Sequence, residues 1–491
     1  MSASVYLVGA GSGDELLLTI KGEKILSQAE VVIYDRLVGE DIIEMIPPNA
    51  ESINVGKQAG HHPVPQGRIN EIILEKALEG KKVVRLKGGD SFLFGRGGEE
   101  LELLREHNIP FQVVPGLPSP VAAAAYAGIP LTHRDFCSSV HFITGHRKEN
   151  GALEIDYKSL VALNGTLVFL MSLSTCGEIM KGLIEAGLPE ETDCAVIENG
   201  TRPEQRKFIG TVSNIEKTIE QEGVISPALI IVGRVCSLSK DFDWFSALPL
   251  HGKKILTTSP SGTRGRLDAR LKELGAKVKN LPAIKRQALG FELPSLEGVK
   301  AAVFTSRAGV EIFFSVLFAK GLDARYFGKV KLAAVGTETA AVMKSYGILP
   351  DLVPETYNGK ALAEAMLETE LAKKGDKVLL LRAKKASVEL PQVLKAAGVE
   401  VSDIAIYETL SLPMGETNPT DYDWLTFTSA SCVESFALAC SLDGFKDFAA
   451  IRALCIGEQT AKAAKALGME VHIAEKATLE SMADYLQEVK L

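Results

Sequence analysis

The 491-residue chain is poor in cysteine, with seven at positions 137, 176, 194, 236, 432, 440 and 455, and none of them forms a Cys-x-x-Cys pair. An odd, scattered set excludes a disulfide framework and a thiolate zinc site, and reads as reduced thiols. No HExxH or comparable ligand spacing occurs. His61 and His62 are adjacent, and neighbouring side chains point in different directions, so no metal is expected. Positive charge is not in surplus either: 54 Lys and Arg face 62 Asp and Glu, for a net charge of −8. That balance argues against nucleic acid or an anionic membrane as the main partner. No apolar run reaches the ~18 residues that a membrane helix needs. The opening MSASVYLVGAG has no basic residues ahead of its apolar stretch, unlike a secretory leader, and a cytoplasmic location is expected.

What is present is material for several cores, since the chain is 46% hydrophobic and long enough for three or four domains. The first half turns on Lys81–Glu100, KKVVRLKGGDSFLFGRGGEE. Val83–Leu86 is a short β-branched run and predicts a strand. Gly88-Gly89-Asp90 follows, then Gly95-Arg96-Gly97-Gly98, and Glu99 and Glu100 open a helix where acids complement its dipole. Five glycines between 88 and 100 predict a strand-end loop that wraps a small ligand, with Asp90 free to accept from hydroxyls. The alternative is a loose surface loop.

Val5–Val8 reads as a strand running into Gly9-Ala10-Gly11-Ser12-Gly13-Asp14, followed by a helix over about 19–29 and a strand from Val31 to Asp35. The pattern approaches the dinucleotide fingerprint, but Asp14 stands where a third glycine belongs. An NAD-dependent dehydrogenase is therefore kept as an alternative. Asp35 and Lys57 each follow a strand beside glycines, which makes them a candidate proton-transfer pair. Otherwise Asp35 is an exposed carboxylate beside Arg36, and Lys57 a solvated charge. Pro115-Gly116-Leu117-Pro118-Ser119-Pro120 predicts a rigid turn into a helix. The strand pattern then restarts, with runs at 140–145, 166–171, 194–201 and 226–233. Met171, just past a strand, is either core filler or part of an apolar ligand face.

The second half repeats itself. KKILTTSPSGTRGRLDARLKELGAKV (253–278) aligns with DKVLLLRAKKASVELPQVLKAAGVEV (376–401), and AVFTSRAGVEIFF (302–314) with LTFTSASCVESFA (425–437), both at an offset of 123. LAAVGTETAAVMKSYGI (332–348) aligns with ALCIGEQTAKAAKALGM (453–469) at 121. This predicts duplicated α/β units facing each other as two lobes, the alternative being convergence of similar units. Thr305-Ser306 and Thr428-Ser429, with the Gly336–Thr339 and Gly457–Thr460 loops, place hydroxyls at strand ends where helix N-termini could take carboxylates. Each is equally a helix cap. Arg264, Arg266, Arg270, Arg307, Arg382, Lys384 and Lys385 supply charge for an anionic ligand.

VYLVGAGSGD, VVIYDRLV, VGKQAG, VVRLKGGDSFLFGRGGEE, GIPLTHRD and SPALIIVGRV, in order over about 1–245, resemble the tetrapyrrole methylase family, and within it the uroporphyrinogen-III C-methyltransferases. The resemblance implies a two-lobed α/β fold with S-adenosyl-L-methionine held between the lobes. It implies two methyl transfers to uroporphyrinogen III, at C2 and C7, giving precorrin-2 on the way to sirohaem or cobalamin. Carried onto matching positions, Ser12, Gly88, Gly89, Asp90, Leu93, Pro118, Ser119, Met171, Gly200 and Ala228 hold the cofactor. Asp35 is the implied proton acceptor and Lys57 the proton donor. A homodimer through this half is implied too. Ser12, Ser91 and Pro118-Ser119 depart from the family pattern, which has proline, proline and Thr-Ala there.

From about 252 onward, the duplication with its FTS loops, AVGTETA, IYETL and CIGEQTAKAAKALG resembles uroporphyrinogen-III synthase. That resemblance implies cyclisation of hydroxymethylbilane with inversion of the fourth ring. It implies discontinuous lobes and a part for Tyr407 in loss of the bilane hydroxyl, the alternative being a half-buried aromatic with its hydroxyl at the surface. Thr305, Ser306, Arg382, Thr428 and Ser429 are the candidate substrate-binding residues. The expected layout is a methyltransferase over 1–245 (lobes about 1–115 and 116–245), a linker at 246–252 and a synthase over 253–491. The synthase lobes are expected at about 253–287 plus 412–491 and about 288–411. A two-lobed binding module without turnover is the alternative for this half.

Overall fold

The computed structural model describes residues 4–56, 64–145, 151, 153–258, 265–281, 284–415 and 417–489. The chain divides into two units, 1–253 with 271–277, and 254–270 with 278–491.

In the first unit β1 (Val5–Gly9), β2 (Val31–Tyr34), β3 (Glu51–Asn54), β4 (Val83–Lys87) and β5 (Phe111–Val114) form a parallel sheet in the order β3-β2-β4-β1-β5. The inner strands β1, β2 and β4 are almost wholly buried and rich in Val, Ile and Leu, as expected where both faces of a parallel sheet are covered. The edge strands β3 and β5 are more polar and partly exposed. Strand periodicity sorts the side chains between those faces. Val8, Val32, Val84 and Leu86 pack on one side, and Leu7, Ile33, Val83, Ile73 and Leu104 on the other. Arg85 and Lys87 alternate with Val84 and Leu86, so they fall on the face of Val83. All five residues of β4 are buried.

The second sheet of this unit is mixed. It comprises β6 (Val140–Thr144), β7 (Thr166–Leu170), β8 (Asp193–Glu198), β9 (Arg206–Thr211) and β10 (Ala228–Val232), in the order β6-β7-β10-β8-β9. Only β6 and β7 run parallel; β10 is antiparallel to both β7 and β8, and β9 to β8. Two sequence expectations change here. The strand expected over 194–201 stops at Glu198, because Asn199 and Thr201 take φ of 51° and 69°. The unforeseen β9 is a half-exposed edge strand without a continuous apolar run, which is why propensity missed it. The helix expected over 19–29 is also shorter, Ile20–Leu26, with the Thr19 hydroxyl capping the Gly22 amide.

The second unit holds two further sheets. β11 (Lys254–Thr257), β12 (Lys277–Asn280), β13 (Ile284–Ala288), β14 (Val299–Phe304), β15 (Lys331–Ala334), β16 (Lys377–Ala383), β17 (Glu400–Ser411), β18 (Trp424–Phe427), β19 (Arg452–Cys455) and β20 (Glu470–Ile473) follow in chain order. They assemble as β12-β11-β18-β19-β20 and β13-β17-β16-β14-β15. The duplicated segments match β11-β12 with β16-β17, β14 with β18 and β15 with β19. Each sheet thus takes its first two matched strands from one repeat and the next two from the other. The chain leaves one sheet after β12 and returns to it after β17. The repeats also pack alike. Phe304 and Phe313 meet edge-on at 5.7 Å, and their counterparts Phe427 and Phe436 do so at 5.5 Å.

Candidate active sites

The C-terminal ends of β1, β4 and β5 adjoin, and glycine lets their backbones touch. Gly11 N–H donates to the Gly89 carbonyl at 3.1 Å, and Gly89 N–H to Gly11 O at 2.6 Å. A Cβ on Gly9 would stand 2.4 Å from Gly116 N, and one on Gly116 would stand 2.2 Å from Gly89 O. Side chains there would force the three loops apart.

Asp90 is not a free acceptor for ligand hydroxyls, as the sequence suggested. Its Oδ1 accepts from the amides of Phe92 (2.8 Å) and Leu93 (3.1 Å), and its Oδ2 from Gly116 N–H (3.0 Å). It curls the Gly88–Glu100 loop and ties it to the turn after β5. Pro118 stands immediately before the helix Ser119–Tyr126, and Gly88 packs on Leu37, whose Cβ would be 2.6 Å from an added Cβ. Gly88, Gly89, Asp90, Leu93, Pro118 and Ser119 therefore belong to one set of strand-end loops.

Met171 follows β7 at φ 54° and is 53% exposed, so it is not core filler. A left-handed backbone at a bulky residue is uncommon and concentrates at functional positions. Leu170 pairs with Leu229, so the next positions along this antiparallel ladder, Met171 and Ala228, are neighbours. Gly200 packs against Ala123, whose Cβ would lie 2.4 Å from an added Cβ. Ser12 meets the second sheet rather than open space: its Oγ lies 3.1 Å from Thr201 Oγ1, and Thr201 donates to the Ser12 carbonyl at 2.8 Å. Asp14 is likewise engaged, accepting from the Tyr126 hydroxyl at 2.6 Å and from Leu16 N–H at 2.8 Å. The chain passes through the short turn Glu15–Leu17 before its helix begins at Ile20, so that helix does not open on the glycine loop as a dinucleotide site requires.

Asp35 pairs with Arg85, not with Arg36: its Oδ2 is 3.4 Å from the Arg85 guanidinium, and its Oδ1 takes Leu37 N–H at 3.0 Å. Lys57, its expected partner, lies outside the described residues. Behind Asp35 is a buried charge network that the sequence reading missed. Glu100 was expected only as a dipole-complementing acid in the first turn of a helix; it stands there, but it faces the sheet and is 1% exposed. Its Oε1 accepts from Arg85 Nε (3.0 Å), Lys87 Nζ (2.8 Å) and Gln66 Nε2 (3.2 Å). Its Oε2 has no hydrogen-bond partner among the described residues. Burial, with the neighbouring Arg85 charge, pushes the Lys87 ammonium below its usual range despite Glu100. The available signal was two cations at i and i+2 in an apolar strand, which put both on one face.

In the second unit Ser306 caps the helix Arg307–Ala319, accepting from Gly309 N–H at 3.1 Å. Its Oγ is also 2.9 Å from the hydroxyl of Tyr407, which sits in β17 and is buried, 6% exposed. The alternative of a surface hydroxyl fails. Ser429 caps the helix Ala430–Leu442 through Cys432 N–H at 3.2 Å and meets the Ser431 hydroxyl at 2.9 Å. Thr305 and Thr428 flank these caps. Thr339 and Thr460 are buried inside their helices, so the Gly-x-x-Thr hydroxyls are core groups. Arg382, offered to a ligand carboxylate, is buried and donates to Asp403 through Nε (2.8 Å) and Nη2 and to the Ser387 carbonyl.

Two sheets with loops zipped by glycine, followed by a duplicated α/β unit with a buried tyrosine–serine pair, describe two enzyme modules on one chain. Family models divide it in the same way. Residues 4–216 match the tetrapyrrole (corrin/porphyrin) methylases, and residues 265–484 match uroporphyrinogen-III synthase HemD. The chain is 46% identical over 499 residues to the porphyrin biosynthesis protein HemD of Ruminiclostridium josui, covering 99% of this chain and 98% of that one. Siroheme synthase 2 of Yersinia enterocolitica is 52% identical over 249 residues, 51% of this chain and 52% of that protein. A solved uroporphyrin-III C-methyl transferase from Thermus thermophilus, complexed with S-adenyl homocysteine, is 36% identical over 48% of this chain and 100% of its own, with a TM-score of 0.41. The chain belongs to the family of tetrapyrrole-biosynthesis proteins that fuse a tetrapyrrole methylase to a uroporphyrinogen-III synthase.

Proposed function

We propose that the second unit cyclises hydroxymethylbilane to uroporphyrinogen III with inversion of the fourth ring. The first unit then methylates that product at C2 and C7, giving precorrin-2, which can feed sirohaem or cobalamin synthesis. The observation that carries the methylase reading is the backbone contact among Gly9, Gly89 and Gly116, which gathers loops at the carboxyl ends of parallel strands, where such folds bind ligands.

These residues fit S-adenosyl-L-methionine: the loop backbone supplies amides and carbonyls for its polar groups, and exposed Met171, Leu37 and Phe92 supply apolar surface. When bound, that cofactor supplies a methyl group already activated on a sulfonium. Gly88, Gly89, Asp90, Leu93, Pro118 and Ser119 shape the binding loops, joined by Ser12, Met171, Gly200 and Ala228. Asp35 takes up the proton that the methylated ring carbon sheds, held in place by Arg85 and the Leu37 amide. Lys57 is the complementary proton donor. Catalysis here is chiefly positioning and exclusion of water. Two such chains pair through this half in the same reading.

In the synthase unit, Tyr407 gives its phenolic proton to the departing hydroxyl of the bilane. The C–O bond breaks with its electron pair on oxygen, water leaves, and the pyrrole carries the cation until the ring closes. Thr305, Ser306, Thr428 and Ser429 line the strand ends around the substrate's carboxylates. Incubating the full chain with hydroxymethylbilane and S-adenosyl-L-methionine tests both halves. The expected product is uroporphyrinogen III heavier by two CH2 units, since each methyl gained is matched by one proton shed. A product of unchanged mass removes the methylase reading, and the uninverted isomer alone removes the synthase reading.

A further inference from the structure

The contact between Ser306 and Tyr407 reaches beyond the separate roles given to these two residues above. The residues are 101 apart in sequence, yet their hydroxyl oxygens are 2.9 Å apart. Ser306 Oγ already accepts from Gly309 N–H, at the start of a 13-residue helix. A serine hydroxyl has one proton and two lone pairs. With one lone pair committed to the helix amide, a proton and a second lone pair remain, so at this distance either hydroxyl of the pair can be the donor. A hydroxyl that accepts from a helix N-terminal amide is polarised into a better donor.

We propose that Ser306 is a positioning residue for Tyr407. Its hydroxyl donates to the phenol oxygen, which turns the phenol's own proton toward the substrate and then stabilises the charge left on that oxygen when the proton has gone. Capping alone does not call for this contact. The repeat-equivalent Ser429 caps its helix in the same way but meets Ser431. The position 123 residues before Tyr407 is Ile284, which has no hydroxyl to offer. The phenol–serine pair therefore joins one residue of each repeat within one sheet and has no counterpart in the other sheet, while the cap occurs in both repeats.

The inference rests on Tyr407 being the proton donor, so the test separates the two. Synthase turnover of the full chain is measured with hydroxymethylbilane for Ser306→Ala, Ser306→Thr, Ser306→Asp and Tyr407→Phe, and for Ser306→Ala combined with Tyr407→Phe. Ser306→Ala is expected to lower kcat about tenfold with KM within about twofold, and Ser306→Thr to restore most of it, since both hydroxyls cap and donate. Ser306→Asp keeps a good cap but has no proton to give. It is expected to fold normally and turn over as slowly as the alanine variant, which removes misfolding as an explanation. On a Tyr407→Phe background, Ser306→Ala is expected to cause no further loss. An equal loss on both backgrounds, a change in KM alone, or full activity in Ser306→Asp would overturn the proposal. Full activity in Tyr407→Phe would overturn the tyrosine reading itself, and the serine's role with it.

Discussion

Arg85 Nε lies 3.0 Å from Glu100 Oε1, and both side chains are almost wholly out of water. Lys87 shares the same oxygen at 2.8 Å, and Arg85 reaches on to Asp35. Removing one member of a buried ion pair strands the others, at a cost of about 3–5 kcal/mol. Glu100→Ala should therefore lower the melting temperature of the first unit by ~10 °C, at roughly 2–4 °C per kcal/mol for a unit of this size. Calorimetry on the full chain reads this directly, and an unshifted transition would mean the network is not structural.

The same network has a pH signature. The folded chain holds the Lys87 proton less tightly than the unfolded chain, whose lysine has its ordinary value near 10.5. Between the depressed folded value and the ordinary one, the unfolded state binds more protons, so stability contributed by this group rises with pH across that window. Below the window the full penalty of burying the charged lysine applies. Lys87→Met should flatten that alkaline rise in denaturant titrations, and an identical slope in both proteins would assign the rise to other groups.

Asp90 works through three backbone amides, so its truncation should loosen the loop. Asp90→Ala is expected to weaken binding of S-adenosylhomocysteine at least tenfold by calorimetry, equivalent to about 1.4 kcal/mol. Asp90→Asn keeps one acceptor oxygen and should fall between. Unaltered affinity in the alanine variant would take the loop out of the cofactor site.

At Gly116 an added methyl would sit 2.2 Å from the Gly89 carbonyl oxygen, which is backbone and cannot swing aside. Gly116→Ala should cost about 1–3 kcal/mol in stability, as overpacking does. It should also abolish cofactor binding, while Gly67→Ala, where the added methyl meets nothing, serves as control.

Asp35→Asn keeps the shape and the Leu37 contact but loses the basic oxygen. Cofactor affinity should be retained while methyl transfer slows by about 10²–10⁴-fold. Single-turnover assays with supplied uroporphyrinogen III measure this, and a wild-type rate would exclude Asp35 as proton acceptor.

Much of this architecture shows in the residues taken as a string. Apolar runs ending in glycine marked the strands and their ligand-bearing ends, and the offset of 123 marked the duplication, because period, propensity and turn chemistry are local. The site was legible as composition but not as contacts. The tie from Asp90 Oδ2 to Gly116 was not legible because that partner is 26 residues away, and only the turn that Oδ1 makes with Phe92 and Leu93 is local. Glu100 was legible as a first-turn acid but not as a buried one, because nothing local says which helix face meets β4. Packing in three dimensions alone could show that Arg85, Lys87 and Glu100 share one buried oxygen and that Ser306 touches Tyr407. Each depends on which distant segment covers which face, and chain entropy and burial resolve that over the whole fold at once.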